Sequence, residues 1–82
     1  MSNIILYSKI GCPWGDEVRD FLNSKNITFT EKEMLSNPQF KDECITKSGQ
    51  WKCPTLDIDG HILADSDADQ VQKYLESLQV SK

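Results

Sequence analysis

Four apolar residues in a row, Ile4-Ile5-Leu6-Tyr7, run into the break Ser8-Lys9-Ile10-Gly11 and then into a segment of helical period. This strand-turn-helix opening constrains the fold more than any other feature. The run is too short and too continuous for an amphipathic helix and reads as a buried strand. From Pro13 to about Lys25, Val18, Phe21 and Leu22 recur at helical spacing, and the acids Asp16 and Glu17 sit early, where the helix dipole favours them. Ile27-Thr28-Phe29-Thr30-Glu31 alternates apolar and polar, so the spacing predicts a second strand, parallel to the first across a right-handed helical crossover.

The remaining elements follow in the same way. Ser36-Asn37-Pro38 opens a second helix that runs to about Ser48-Gly49, with Phe40 and Cys44 on one face. Pro54 precedes Thr55-Leu56-Asp57-Ile58, and Asp59-Gly60 separates this strand from His61-Ile62-Leu63-Ala64, which is a hairpin signal. A last helix is expected from Ser66, with Asp67 and Asp69 in its first turn and Val71, Tyr74, Leu75 and Leu78 on its apolar face. The predicted order is βαβαββα: an α/β fold with a four-stranded mixed sheet flanked by three helices. Eighty-two residues leave room for one core, so residues 1–82 are expected to form a single domain.

Charge and cysteine usage narrow the function. A net charge of −4 argues against nucleic acid or an anionic membrane as the main partner, because both reward clustered Lys and Arg. No apolar run near the start is long enough for a signal-peptide core or a membrane span, and three irregularly spaced cysteines fit a reducing compartment. A cytoplasmic location is expected. With one histidine and no close cysteine pair, the sequence lacks a four-ligand zinc pattern, and no metal ligand is assigned.

Chemistry concentrates at Cys12, in the loop that feeds the first helix. A sulfur there faces unpaired backbone N–H groups and the positive end of the helix dipole, which favours the nucleophilic thiolate. Lys9, three residues upstream, is expected to add a cationic field. The alternative for Cys12 is a small buried hydrophobe, for which a Gly-Cys-Pro turn is a poor place. Cys44, on the apolar face of the second helix, reads as core.

The segment Tyr7-Ser8-Lys9-Ile10-Gly11-Cys12-Pro13-Trp14-Gly15 resembles the opening of the glutaredoxins, members of the thioredoxin-fold superfamily, in which a strand feeds a Lys-x-x-Cys-Pro-aromatic-Cys motif. Here Gly15 stands in place of the second cysteine. Ser48-Gly49-Gln50-Trp51-Lys52-Cys53-Pro54 resembles the family's segment ending in a cis-proline. The resemblance implies thiol–disulfide exchange with Cys12 as catalytic nucleophile, acting on glutathione or protein disulfides and recycled by a reductase. Since Gly15 cannot resolve the mixed disulfide, external glutathione or another cysteine must. In this fold the residue before the cis-proline lies beside the active-site cysteine, so Cys53 is a candidate second catalytic thiol if its Cα comes within about 7 Å; the alternative is that it fills space and presents its backbone.

The same resemblance marks Lys9, Pro13, Trp14, Gln50, Pro54, Ser66 and Asp67 as substrate-binding candidates. Trp14 is either a contact surface or a packed support for the loop, and Trp51 and Lys52 either face a glutathione carboxylate or lie solvated. Where glutaredoxins usually show Gly-Gly, this chain has Ala64-Asp65, and the carboxylate of Asp65 would repel those of glutathione, while Ser66 and Asp67 suit either the substrate ammonium or helix capping alone. A monomeric oxidoreductase with no bound cofactor, and with glutathione as a co-substrate, is therefore expected. The competing class is a carrier in which Cys12 ligates a metal or a [2Fe–2S] cluster between two chains, as single-cysteine relatives do; Pro13 disfavours that assembly.

Overall fold

The computed structural model describes residues 3–64 and 67–80, the side chains of 78–80 excepted. The order is β1 (Ile4–Ser8), α1 (Pro13–Ser24), β2 (Thr30–Glu33), α2 (Pro38–Ser48), β3 (Thr55–Ile58), β4 (His61–Ala64) and α3 (Ala68–Val80). The strands form one mixed sheet in the order β2-β1-β3-β4, with β1 parallel to β2 and antiparallel to β3.

The apolar run of β1 is continuous because both faces of the sheet are covered. Ile4 and Leu6 point into a cluster with Val18 and Leu22 of α1 and Val71 of α3, while Tyr7 points into a second cluster with Met34 and Cys44, against which Ile5, Phe40 and Trp51 pack. That alternation is the period of two expected of a strand, here with an apolar partner on each side. β3 divides likewise: Leu56 and Ile58 join the first cluster, and the Asp57 carboxylate is turned to Lys47 of α2 at 2.8 Å. The cysteine on α2 is fully buried, as its place on the apolar face predicts.

Two boundaries differ from the sequence expectation. β2 begins at Thr30 rather than Ile27, because Asn26 turns into the left-handed region (φ 56°) and Ile27 and Phe29 pack onto the first cluster before ladder pairing with β1 begins at Ile5 and Thr30. The paired residues are Thr30, Glu31, Lys32 and Glu33, an edge strand rich in charge. At the last helix, Ser66 and Asp65 lie outside the described residues, and Asp67 acts as the cap, its Oδ1 accepting the Gln70 N–H at 2.9 Å. Val71, Tyr74 and Leu75 pack on the first cluster as expected, and the side chain of Leu78 is outside the described set.

Candidate active site

β1 ends at Ser8, and the chain then turns back so that the Cys12 N–H meets the Lys9 carbonyl at 3.1 Å. The third residue of that turn must be left-handed, and Gly11 supplies it with φ 84°. Cys12 thereby becomes the N-cap of α1. Its Sγ accepts the Gly15 N–H at 3.3 Å, and Pro13 occupies the first helical position, where a missing N–H costs nothing.

The second arm of the site is the loop from α2 to β3. The Cys53–Pro54 peptide bond is cis, and the Cys53 sulfur lies against Gly15 in the first turn of α1. The Cα atoms of Cys12 and Cys53 are 6.6 Å apart, inside the disulfide limit, and the two sulfurs are in bonding contact as a disulfide across 41 residues of chain. Pro54 is buried beneath them. The loop is braced from within: the Gln50 amide donates to Ser48 Oγ at 2.8 Å and Thr55 Oγ1 at 3.2 Å, and its Oε1 accepts the Lys52 N–H. Gln50, expected to touch substrate, is thus committed to the shape of the loop.

Lys9 reaches an aromatic ring on the second arm of the site. Its Nζ lies 3.7 Å from the centroid of the Trp51 ring, and Lys41 Nζ lies 4.0 Å from the same ring, so two cations share one half-buried indole. The ammonium is engaged with the aromatic face. Trp51 is a packed residue of the second cluster, not a solvated one.

The sulfurs open into a groove of about 570 Å³ lined by Lys9 to Trp14, Leu35, Lys52 to Pro54 and Asp67. Its rim holds three of the four exposed large apolar side chains among the described residues: Ile10 (68 % exposed), Trp14 (61 %) and Leu35 (53 %). Trp14 is therefore exposed on the rim rather than packed as a support for the loop. Ile10 and Leu35 gave no sequence signal, since isolated apolar residues in turns are common. Glu33 was also missed. Its carboxylate accepts N–H groups from Ile10 (3.1 Å), Leu35 (2.7 Å) and Ser36 (2.8 Å), tying both walls of the groove to the end of β2. A hydrogen bond from the Ser36 side chain first, with the three N–H bonds adding to it, holds its pKa down at about 2 against the opposing effect of burial.

The glutaredoxin family model matches residues 4–63. An uncharacterised glutaredoxin-like 8.6 kDa protein of the rubredoxin operon of Clostridium pasteurianum is 30 % identical over 73 residues, covering 89 % of this chain and 97 % of the relative. Glutaredoxin 3 of Escherichia coli is also 30 % identical, over 82 % of this chain and 81 % of its own. Among solved structures, a crystallised thioredoxin-like protein superposes with a TM-score of 0.80 at 22 % identity, covering 87 % of this chain and 97 % of its own. The glutaredoxin of Brucella melitensis gives 0.66 at 20 %, over 96 % and 84 %.

Proposed function

Because the chain belongs to the glutaredoxin family, we propose that it is a thiol–disulfide oxidoreductase in which Cys12 is the nucleophile and Cys53 the resolving thiol. The bonding contact of the two sulfurs at the floor of an open groove carries this reading. The Cys12 thiolate, held by the Gly15 N–H and the start of α1, attacks one sulfur of a substrate disulfide and expels the other as a thiolate, which takes up a proton. The Cys53 thiolate then attacks Cys12 Sγ and expels the second substrate thiol. Two electrons have passed to the substrate, and the Cys12–Cys53 bridge remains to be reduced.

An internal thiol fixed beside the mixed disulfide competes at high effective concentration against any monothiol in solution. A glutathione adduct on Cys12 is thus a passing intermediate, and a dithiol protein reductase suits the oxidised chain better than glutathione, although glutathione can serve as co-substrate. The exposed Ile10, Trp14 and Leu35 give a protein surface something apolar to meet. With both of its sulfurs in the exchange cycle, the site favours this chemistry over ligation of a [2Fe–2S] cluster by Cys12. We place the protein as a single glutaredoxin-like domain over residues 1–82, monomeric and cytoplasmic, with no bound cofactor and neither nucleic acid nor membrane as partner.

The test is turnover of a protein disulfide with dithiothreitol as donor. Cys12→Ser is expected to lower the rate at least about a hundredfold, and Cys53→Ser to accumulate a covalent mixed disulfide on Cys12. Undiminished turnover by Cys12→Ser, or no trapped complex with Cys53→Ser, contradicts the reading.

A further inference from the structure

The four glycines of the chain divide into two kinds. Gly11, Gly49 and Gly60 have positive φ, and a Cβ built on any of them meets nothing within 4 Å, so backbone shape alone explains them. Gly15 is the reverse. It lies in the first turn of α1 with no left-handed φ, where glycine is a poorer helix former than alanine by about 1 kcal/mol. A Cβ there would lie 2.8 Å from Cys53 Sγ and 3.5 Å from Cys12 Sγ. Real Cβ atoms do not come that close to a sulfur, and this sulfur cannot swing aside while bonded to Cys12.

We infer that Gly15 is a positioning residue: the missing side chain is the seat of the Cys53 sulfur, so the resolving thiol is delivered from the residue before Pro54 instead of from α1. This rests on the resolving role of Cys53 and adds its steric condition. The space beside Cys12 holds one partner sulfur, from residue 15 or from residue 53, and the glycine assigns it to residue 53. Reduction removes the bond that ties the Cys53 sulfur to Cys12 at this spot, so a side chain at 15 is expected to burden the bridged form selectively. In the exchange with an external dithiol, the S–S bond of Cys12 and Cys53 breaks as the donor's own S–S bond forms, two electrons and two protons passing to the chain. Position 15 therefore sets where that equilibrium lies.

The experiment is equilibration of the native protein, Gly15→Ala, and the pair Gly15→Ala/Cys53→Ala with dithiothreitol of defined redox ratio, followed by acid quench and alkylation of free thiols. Gly15→Ala is expected to shift the bridge equilibrium at least tenfold toward the dithiol, about 30 mV, while the reduced single variant and the double variant melt no lower than the reduced native chain. The swap Gly15→Cys/Cys53→Ala is expected to form a bridge between Cys12 and the thiol introduced at position 15. An unchanged equilibrium in Gly15→Ala overturns the positioning role. So does equal destabilisation of reduced Gly15→Ala and of the double variant, which would mean that the glycine serves the helix and not the sulfur. A native chain that forms no Cys12–Cys53 bridge overturns the prior reading, a result distinguishable from either.

Discussion

Trp51 shows how much a single residue of the site carries outside the chemistry. Its indole packs with Tyr7, Met34 and Cys44 and lies under the ammonium groups of Lys9 and Lys41. Cation–π contacts at exposed sites contribute roughly 0.5–1 kcal/mol each, and truncating a well-packed Trp costs about 3–5 kcal/mol. For this half-buried ring, Trp51→Ala is expected to cost about 2–3 kcal/mol, read as a lower urea midpoint, and to free the two lysine side chains. Trp51→Phe should recover most of the loss. Equal loss in the two variants would mean that the cations, which favour Trp over Phe, matter more than the packing.

Between elements, Glu33 and Tyr7 are the fasteners that titrate. Glu33 closes β2 onto the loops that carry Ile10 and Leu35, and its pKa is held at about 2. A carboxylate with a depressed folded pKa stabilises fully above its unfolded value, and the effect is lost as pH falls through the folded value. The amide signals of Ile10, Leu35 and Ser36 should therefore hold steady down to about pH 4 and then shift together with a midpoint near the folded value of about 2; Glu33→Gln should show the shifted positions at neutral pH. Tyr7, buried in the sheet, donates its hydroxyl to Glu43 of α2, which Lys32 also contacts at 2.7 Å. Burial first, and the Glu43 bond second, push its pKa up to about 12. Here the folded value is raised, so the contribution is complete below about pH 10 and fades as pH rises toward 12. Tyr7→Phe should cost about 1 kcal/mol at neutral pH and remove that alkaline loss, as urea unfolding at pH 7 and pH 11 would show. Neither fastener is visible in the sequence. Glu33 and Glu43 look like ordinary surface acids until the fold sets amides, a hydroxyl and lysines around them, and Lys32 and Glu33 hide the true reach of β2 because their charge breaks the apolar alternation that marks Ile27 to Glu31.

At the scale of the whole molecule, element order and the helices flanking the sheet were legible because strand and helix periods are local signals, whereas the approach of Cys12 to the residue before Pro54 was implied only by the resemblance to glutaredoxins, since 41 residues separate the two cysteines. The groove rim was not legible, since Ile10 and Leu35 come together only through the turn at Gly11 and the loop after β2. Fold stability should depend on redox state as well. The bridge constrains 41 residues of unfolded chain, for which the chain-entropy account gives at most about 4 kcal/mol. The oxidised chain is expected to unfold at higher urea than the reduced chain, and a reduced form of equal or greater stability would count against a relaxed internal bridge.

The most direct measurement is a non-reducing peptide map after the reduced protein meets one equivalent of oxidised glutathione and is trapped by alkylation. Trypsin places the three cysteines in separate peptides, residues 10–19, 42–47 and 53–73. The account predicts a linked pair of the first and third, with Cys44 alkylated only after unfolding. A stable glutathione adduct on Cys12 with Cys53 free would contradict it.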